Sequence, residues 1–307
     1  MILCCGEALI DMLPHETMAG EAAFAPHAGG AVYNTAIALG RLGAPAGFFT
    51  ALAEDFFGQM LADGLAASNV DAGLCLRRPQ PQTLAFVRLE NGQARYAFYD
   101  EATAGRRLTA ADLPALPALV TALFFGGISL VGEPCGGAYE ALMLREAGAR
   151  ATMIDPNIRP GFITNAPAYR ARLARMIAAA DIVKLSDEDL HWLEGDGALE
   201  TLARGILARG PSVVLITAGA AGAHAFTAHH AVFAPARKVV VADTVGAGDT
   251  FNAGVLAALE RAGRLNKTAL AALAEDHLVA AITLGISAAA ITVSRPGANP
   301  PWADDID

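Results

Sequence analysis

From about Leu119 onward, short apolar runs alternate with amphipathic helical patterns, and this alternation constrains the fold more than any other feature. Apolar runs bounded by turn residues predict buried strands, and apolar residues at helical spacing predict helices between them. The predicted strands are 122–125, 151–154, 182–185 and 213–216, and the predicted helices are 139–147, 169–179 and 199–207. Strands joined by helices run parallel and are covered on both faces. We therefore predict an α/β fold with a mostly parallel central sheet, as a single domain over residues 1–307.

The segment 243–251, Asp-Thr-Val-Gly-Ala-Gly-Asp-Thr-Phe, predicts an anion-binding junction. The β-branched run at 239–241 predicts a strand before it, and an apolar stripe after it predicts a helix. Gly246 and Gly248 flank Ala247, so the backbone N–H groups at the helix start can approach a ligand closely. The N-terminus of a helix also carries partial positive charge, which favours a bound anion.

Asp249 lies in the first turn of this predicted helix. One interpretation is ordinary capping, since Asp near a helix start is common. The other is catalysis: a carboxylate facing an amide-lined anion hole suits phosphoryl transfer, which needs an oriented alcohol, a proton acceptor and donors for the transferring charge. The segment ends in neither a third glycine nor Gly-Lys-Ser/Thr, so it is not a Rossmann or P-loop motif.

Polar residues follow five successive predicted strands. In parallel sheets, ligands bind beyond the carboxyl ends of the strands. Each position taken alone is ordinary turn chemistry, but the recurrence favours a shared binding edge. The residues are Ser129, 155–159, 186–189, 217–219 and Asp243.

Composition narrows the classes of partner and compartment. A net charge of −9 and a pI near 5.2 argue against binding to nucleic acid or to an anionic membrane surface, which need a basic patch. Four cysteines without metal-ligand spacing and the lack of a signal-like segment predict a cytoplasmic protein. We predict no membrane span; the apolar stretch 278–294 is interpreted as a buried helix over 278–286 followed by a strand over 288–293.

The segment D-T-V-G-A-G-D-T-F closely resembles the C-terminal signature of the ribokinase-like (PfkB) carbohydrate kinases. The resemblance implies that Asp249 is the catalytic base and that the amides of Gly246, Ala247 and Gly248 form the anion hole. It also implies ATP and Mg²⁺ as cofactors and, in many members, a monovalent cation such as K⁺, placed here by Asp243.

Two N-terminal segments resemble the same family. G-E-A-L-I-D ends in Asp11, which the resemblance assigns to sugar hydroxyls, whereas Glu7 reads from the residues alone as a solvated strand end. G-G-A-V-Y-N resembles the N-terminal signature, in which Gly29, Gly30 and Asn34 contact the sugar. The family usually has Ala-Asn at the end of this motif, so residues 32–33 depart from it in a way that could reshape the sugar pocket.

Further segments extend the resemblance to the phosphate side. D-P-N-I-R places Arg159 near the sugar and the transferred phosphate. K-L-S-D-E-D-L resembles the family segment with an Asn-x-x-Glu motif for magnesium and phosphate, but Ser186 replaces Asn and Asp189 replaces Glu. The resemblance leaves open whether Asp189 or Glu188 handles Mg²⁺, and a shorter Asp acting through water remains compatible.

The nucleotide contacts that the resemblance implies come from two places. The loop 217–222 would contact nucleotide phosphates through its backbone, with Thr217, Gly219 and Gly222 as its members. A hairpin turn explains the same loop, and both interpretations are compatible. Ala281 would form part of the wall around adenine.

An alternating segment around Asn91-Gly92 predicts an antiparallel hairpin. Inserted between helices, it suggests a small sheet outside the main layer, and in the family such a sheet is a lid over the sugar. We predict a lid from about 12–28 and 74–105. Thr83, Arg95 and Phe98 are its candidate contacts, and lid edges in this family often pair to form homodimers.

The resemblance covers nearly the whole chain and implies an ATP-dependent sugar kinase that transfers the γ-phosphate to a primary hydroxyl. Several segments look most like fructokinases. A 2-keto-3-deoxygluconate kinase is the second possibility, in which Arg95, Arg106 or Arg159 would contact the substrate carboxylate, and a nucleoside kinase is the third. The altered 186–189 segment also keeps open a non-catalytic sugar or nucleotide sensor.

Overall fold

The computed structural model of the protein describes residues 1–90 and 93–306, without the side chains of 88–90 and 93–96. The predicted turn residues Asn91 and Gly92, and the side chain of Arg95, therefore lie outside the described residues.

The main sheet has nine strands, and the order across it is β15-β14-β13-β12-β11-β10-β1-β4-β6. The seven strands from β13 to β6 in this order are parallel, and β14 and β15 are antiparallel at one edge. Their bounds are β1 Ile2–Cys5, β4 Ala46–Phe49, β6 Val70–Asp71, β10 Ala122–Gly126, β11 Ala151–Asp155, β12 Ile182–Ser186, β13 Val213–Thr217, β14 Gly222–Phe226 and β15 Ala231–Pro235. The predicted mostly parallel sheet is confirmed.

Helices cover both faces of this sheet. Successive residues of a strand point to opposite faces, so Ile2 and Cys4 pack into one core and Leu3 and Cys5 into the other. The first core is closed by α1 Ala31–Arg41, α2 Phe56–Ala67, α7 Ala247–Arg261, α8 Lys267–Ala271 and α9 Glu275–Val293. The second is closed by α3 Cys135–Glu146, α4 Ala166–Ala179, α5 Asp187–Glu194 and α6 Leu199–Leu207.

A separate four-stranded sheet, in the order β3-β2-β8-β9, lies apart from the main one. Its strands are β2 Leu9–Glu16, β3 Ala22–Gly29, β8 Leu84–Glu90 and β9 Gln93–Tyr99. The β8/β9 pair is antiparallel, as the alternating pattern predicts. A third, two-stranded sheet pairs β5 Ala51–Ala53 with β7 Leu76–Arg78. We call the four-stranded sheet the lid sheet.

Helices α7 and α9 pack closely because glycines face each other at their contact. A Cβ atom built on Gly254 would stand 2.6 Å from the Cα of Gly285. The buried hydroxyl of Thr292 donates to Thr250 Oγ1 at 3.0 Å across the same interface. This packing fixes α7, and with it the first turn that carries Asp249.

Two predicted strands are wrong. Residues 239–241 form an irregular, exposed segment between β15 and α7, with Val240 88% exposed. Residues 288–293 are the last turns of α9, which is one continuous helix from Glu275 to Val293. By length and composition α9 could cross a membrane, but half of its apolar window is buried in the protein, as in the core helices of globular proteins.

Candidate active site

The site is organised by the first turn of α7. Gly246, the N-cap, has a φ of 79° in the left-handed region, where glycine is favoured. The N–H groups of the first turn have no acceptor one turn earlier in the helix, so they point outward from its start. The N–H of Ala247 makes a long bond of 3.4 Å to Thr244 O. The predicted helix start is confirmed, although a loop precedes it instead of a strand.

Asp249, the third residue of α7, is buried, with 7% of its surface exposed. Its Oδ2 accepts a hydrogen bond of 2.9 Å from the side-chain amide of Asn34 on α1. The two family-like signatures therefore meet at one carboxylate. Asn34 was predicted to contact a sugar or to cap its own helix. In this structure its side-chain amide has Asp249 as a partner.

Burial raises the pKa of Asp249 to about 7, and the charges of Asp155 and Glu7 act in the same direction. The hydrogen bond from Asn34 and the charge of Lys184 oppose the rise. A carboxyl group with a pKa near neutrality can accept a proton in its ionised form and return it afterwards, as general acid–base catalysis requires.

Three buried polar side chains lie beneath this turn. Lys184 on β12 forms an ion pair of 2.9 Å with Asp155 Oδ2 at the end of β11. Asn252, one turn after Asp249, donates to the same oxygen at 2.7 Å. A Cβ atom built on Gly248 would stand 3.2 Å from Lys184 Nζ. The ammonium group is therefore close to the amides that would hold an anion.

The acidic segment at the start of α5 carries two neighbouring carboxylates that differ in burial. Asp189 is buried, and its Oδ1 accepts from the N–H of Ile158 at 3.1 Å. Burial, with the charge of Asp155 next, raises its pKa to about 6. Glu188 is exposed. Ser186 is the N-cap of α5, where its hydroxyl oxygen accepts from the N–H of Asp189 at 3.0 Å.

Asp11 and Gly29 lie against each other, as neighbouring strands of the lid sheet bring them together. A Cβ atom on Gly29 would collide with Asp11 Oδ2, so the carboxylate occupies the space that any larger residue would fill. Burial raises the pKa of Asp11 to about 6. Gly30, with a φ of 107°, is the N-cap of α1 and connects the lid sheet to that helix.

The interpretation of Glu7 as a solvated strand end is wrong. Its Oε1 accepts from the N–H of Ala31 at 3.0 Å, and its Oε2 accepts from the N–H of Ser129 at 3.1 Å. Burial raises the pKa of Glu7, and hydrogen bonds from backbone groups, among them the N–H of Ser129, oppose the rise. Glu7 therefore ties the end of β1 to the start of α1, close to the loop that follows β10.

The residues of the predicted nucleotide loop lie at the β13/β14 turn. Thr217 ends β13, Gly219 and the residues after it form a 3₁₀ turn, and Gly222 starts the antiparallel β14. The hairpin interpretation is therefore confirmed. Ala281 is 1% exposed and packs in the core between α9 and the sheet, so this structure does not present it as a wall for adenine.

Asp243 ties the loop before α7 to the end of α9. Its Oδ1 accepts from the N–H of Val245, and its Oδ2 accepts from the N–H of Gly297, both at 3.0 Å. Among the residues that the structure describes, no group of three or more His, Cys, Asp or Glu side chains is arranged to hold a metal ion.

The basic residues near the site differ in how they are engaged. Arg159 is exposed after β11, and its charge partly opposes the rise in the pKa of Asp189 that burial causes. Arg106 is paired with Asp100 at 2.8 Å and donates to the carbonyl of Glu133.

The lid sheet meets the loop that follows Arg159. The ring of Phe98, on β9, packs edge-to-face on Phe162, with centroids 4.5 Å apart. Thr83, a second candidate lid contact, is buried and donates to Asp100 Oδ1 at 2.8 Å. Tyr33, from the unusual part of the N-terminal motif, is in the core, where its hydroxyl donates to Leu61 O at 3.1 Å.

Sequence reasoning gave no role to Lys184 or Asn252. The available signal for Lys184 was a charged residue inside an otherwise apolar strand, Ile182–Ser186. For Asn252 the signal was its spacing of three from Asp249, which places both on one helix face.

Comparison with known proteins identifies relatives in sequence and in fold. The chain is 56% identical to a fructokinase from Rhizobium leguminosarum bv. trifolii over 278 residues, covering 91% of this chain and 85% of the relative. It superposes on the ATP-bound fructokinase from Xylella fastidiosa with a TM-score of 0.88 at 28% identity, covering 97% and 93% of the two chains.

A fructokinase from Vibrio cholerae O395, solved with fructose, ADP and calcium, gives a TM-score of 0.81 at 25% identity, covering 97% of this chain and 94% of the other. The fold and the site thus define a ribokinase-like phosphotransferase with an alcohol acceptor. The sequence profile of the pfkB family carbohydrate kinases matches residues 1–305, and the chain belongs to that family.

Proposed function

We propose that this protein is a fructokinase, which transfers the γ-phosphoryl group of ATP to a primary hydroxyl of fructose. The observation that carries the proposal is the position of Asp249 at the amide-lined start of α7, in a chain 56% identical to a fructokinase. The ligands of two structural neighbours, ATP in one and fructose with ADP in the other, support the same pair of substrates.

In the proposed reaction, Asp249 accepts the proton of the sugar hydroxyl. The hydroxyl oxygen forms a bond to the γ-phosphorus, and the bond between that phosphorus and the β,γ-bridging oxygen breaks, releasing ADP. Asn34 holds the carboxylate in place during this step through its 2.9 Å hydrogen bond. General acid–base catalysis of this kind contributes about 10²–10⁴-fold to the rate.

The amides of Gly246, Ala247 and Gly248 would stabilise charge on the transferring phosphoryl group. Their location at the start of a helix adds the positive end of the helix dipole. Lys184 lies beneath Gly248, and its ammonium group, paired with Asp155, brings a positively charged group close to the same amides.

The sugar would be held from the lid side. Asp11, whose carboxylate lies against Gly29, would accept hydrogen bonds from sugar hydroxyls, and Gly29 and Gly30 would let the sugar approach the backbone. Arg159, exposed after β11, would contact the sugar or the transferred phosphate. Contact between Phe98 and Phe162 supports a lid that can exclude water, which would otherwise compete as an acceptor.

The residues present fit Mg²⁺ held mainly by ATP. Asp189 is a buried hard-oxygen donor, and one of its two oxygens is the acceptor for Ile158 N–H. Mg²⁺ commonly takes one or two carboxylates, with waters and phosphates as its remaining ligands. When bound, it would neutralise charge on the phosphates. We assign this contact to Asp189 and not to the exposed Glu188.

The nucleotide phosphates and a monovalent cation would be bound by other residues. Nucleotide phosphates would contact the backbone at Thr217, Gly219 and Gly222 and the hydroxyl of Ser186. A monovalent cation such as K⁺ would be bound near Asp243, whose oxygens already accept hydrogen bonds from two backbone N–H groups.

We place the reaction in the cytoplasm, where Cys4, Cys5, Cys75 and Cys135 would remain reduced, as they are in the structure.

A neutral sugar is favoured over a keto-acid by the state of Arg106. Its guanidinium is already paired with Asp100, so binding a substrate carboxylate there would require breaking that pair. Arg159 is the remaining described arginine among the candidates for such a contact, and it is exposed.

The lid sheet also supports a homodimer. Phe24 and Tyr99 are 47% and 62% exposed and flank Phe86, with ring centroids 5.0 and 5.5 Å from it. Exposed aromatic clusters of this kind are typical of protein interfaces. Sedimentation analysis of the wild type and of Phe24→Asp tests this, since the substitution should shift a dimer towards monomer.

The deciding experiment measures ADP formation with magnesium and each of fructose, 2-keto-3-deoxygluconate, ribose and adenosine. We expect the highest kcat/KM with fructose, and loss of about 10²–10⁴-fold in kcat for Asp249→Ala with little change in fructose affinity. The exposed Asp196→Ala is the matched control. A higher kcat/KM on another substrate would reassign the specificity, and calorimetric fructose binding without ADP formation would identify a sensor instead.

A further inference from the structure

Lys184 is a buried charge within an apolar strand. Its side chain is 5% exposed, and Ile182, Val183 and Leu185 around it are fully buried. Burying an ammonium group is unfavourable unless it is paired and hydrogen-bonded. The chain places one here, in the middle of β12 and under the helix that carries Asp249.

The contacts of Lys184 link it to that helix on two sides. Its Nζ pairs with Asp155 Oδ2 at 2.9 Å, and Asn252 of α7 donates to the same oxygen at 2.7 Å. On the other side, the position of a Cβ on Gly248 lies 3.2 Å from Nζ. The Lys184–Asp155 pair therefore lies next to Gly248, immediately before Asp249, and is hydrogen-bonded to Asn252, three residues after it.

We propose that Lys184 is a positioning residue of the phosphoryl-transfer site, which, paired with Asp155, holds the start of α7 and supplies the positive charge next to the turn that carries Asp249. This inference rests on the proposed function only for its kinetic consequence. The contacts themselves are independent of which sugar is phosphorylated.

The balance of charge around Asp249 explains why one ammonium group matters. Asp155 and Glu7 face Asp249 from the ends of β11 and β1, and both raise its pKa, whereas Lys184 lowers it. Asp189, with Arg159 beside it, lies next in the same cluster and is influenced by Asp155 and Lys184 too. Without Lys184, Asp249 would be surrounded by carboxyl groups, and its protonated form would persist to higher pH.

The test is the pH dependence of kcat/KM for fructose at saturating ATP and magnesium, in Lys184→Met, Asp155→Asn and the double variant. In the wild type we expect kcat/KM to fall as the pH drops below about 7, and we call this fall the acid limb of the profile. Lys184→Met should move it up by about one pH unit or more, Asp155→Asn should move it down, and the double variant should lie between. Lys184→Arg should restore most of the wild-type profile.

A carboxyl ¹³C NMR titration of Asp249, assigned through Asp249→Asn, measures the same shift without turnover. If the wild type phosphorylates a different sugar, or none, the proposed function fails while this titration still decides the role of Lys184. The control is Lys267→Met, which removes an ammonium group from another carboxylate, Asp181, 2.7 Å away at the amino end of β12. It should leave both profiles unchanged.

A folded Lys184→Met variant with wild-type acid limb and Asp249 titration would overturn the proposal, even if its melting temperature or kcat were lower. If Lys184→Met does not fold, Asp155→Asn and Lys184→Arg carry the test. An unmoved titration in Asp155→Asn then overturns it equally, since Asp155 is the carboxylate that Lys184 pairs with.

Discussion

The side-chain amide of Asn34 donates to Asp249 Oδ2 at 2.9 Å, joining residues 215 positions apart in the chain. Asn34 lies in the first turn of α1 and Asp249 in the first turn of α7, so the two helix starts converge on one carboxylate. The N-terminal signature thus contributes to the orientation and ionisation of the base in addition to any contact with the sugar.

Replacing Asn34 by Ala should raise the pKa of Asp249. The wild-type hydrogen bond favours the ionised carboxylate, and a bond to a charged group is worth about 1.5–3 kcal/mol, which corresponds to about one to two pH units. We expect the acid limb of kcat/KM for fructose to move up by that amount, so that the variant loses most activity below pH 7 and recovers part of it at pH 9.

The matched control is Thr35→Val on the same turn of α1, because the Thr35 hydroxyl donates only to Ala31 O within its own helix. Its pH profile should follow that of the wild type. Equal loss at every pH in Asn34→Ala would indicate that Asn34 contacts the sugar without affecting the titration of Asp249.

Asp249 should make folding stability fall as pH rises. An unfolded Asp loses its proton near pH 3.8, whereas folded Asp249 keeps it to about pH 7, so the native state binds the extra proton between these values. From pH 5 to pH 7, a span of two pH units, the wild type therefore loses about 3 kcal/mol of its free energy of unfolding. Asp249→Asn, which has no carboxyl group at this position, should not lose this stability.

The free energy of unfolding of wild type and of Asp249→Asn should be measured in urea at pH 5 and at pH 8. The difference between the two proteins should change by about 3 kcal/mol in favour of Asp249→Asn when the pH is raised from 5 to 8. The exposed Asp63→Asn should give no such change. A constant difference at both pH values would mean that Asp249 is ionised in the native state throughout the range.

Much of the fold was predictable because local patterns and tertiary packing agree there. The predicted strand at 213–216 and helix at 199–207 match β13 and α6 to within a residue, since short apolar runs and amphipathic spacing are local signals. The run at 239–241 has the composition of a strand, but β15 already ends at Pro235, and the chain there leaves the sheet towards α7. The end of α9 is rich in small residues, and its helical state depends on packing against α7.

The parts of the site that lie within one short motif were predictable, because neighbouring residues define the local geometry. The parts that depend on contacts between distant segments of the chain were not. Asp249 and the glycines around Ala247 lie at the helix start that the sequence indicates. By contrast, the half-buried position of Glu7 depends on two backbone N–H groups that only the fold brings together. Lys184 likewise acquires its role from its pairing with Asp155.

Gly29→Ala should act through Asp11. The new methyl group would collide with Asp11 Oδ2 and displace the carboxylate, so we expect kcat/KM for fructose to fall about 10–100-fold, mainly through KM. The double variant with Asp11→Ala should be no worse than Asp11→Ala alone, since the carboxylate is then already absent. Gly148→Ala, at a site with open space around it, is the control. Additive losses would show that Gly29 contributes independently of Asp11.

Asp189 and Glu188 are adjacent acidic residues with opposite exposure, so they form a matched pair for magnesium dependence. Asp189→Ala should raise the Mg²⁺ concentration for half-maximal activity about 10–100-fold, by removing an oxygen donor from the buried side. Glu188→Ala should change it less than about twofold. Equal effects of the two variants would argue for a general electrostatic contribution of the α5 N-terminus.

The same substitution, Gly to Ala, should have opposite effects on stability at two helical positions. In α7, a Cβ on Gly254 would stand 2.6 Å from Gly285 Cα, and backbone cannot move away as a flexible side chain can. Gly254→Ala should therefore force α7 and α9 apart and destabilise the protein by about 1–3 kcal/mol. In α6, a Cβ on Gly205 meets nothing within 4 Å, so Gly205→Ala should stabilise the protein by about 1 kcal/mol through helix propensity alone.

Because α7 carries Asp249, Gly254→Ala should also lower kcat under conditions where the protein is fully folded, whereas Gly205→Ala should not. Urea denaturation and kcat measured on the same samples distinguish this from a stability effect alone, which would leave the kcat of folded Gly254→Ala unchanged.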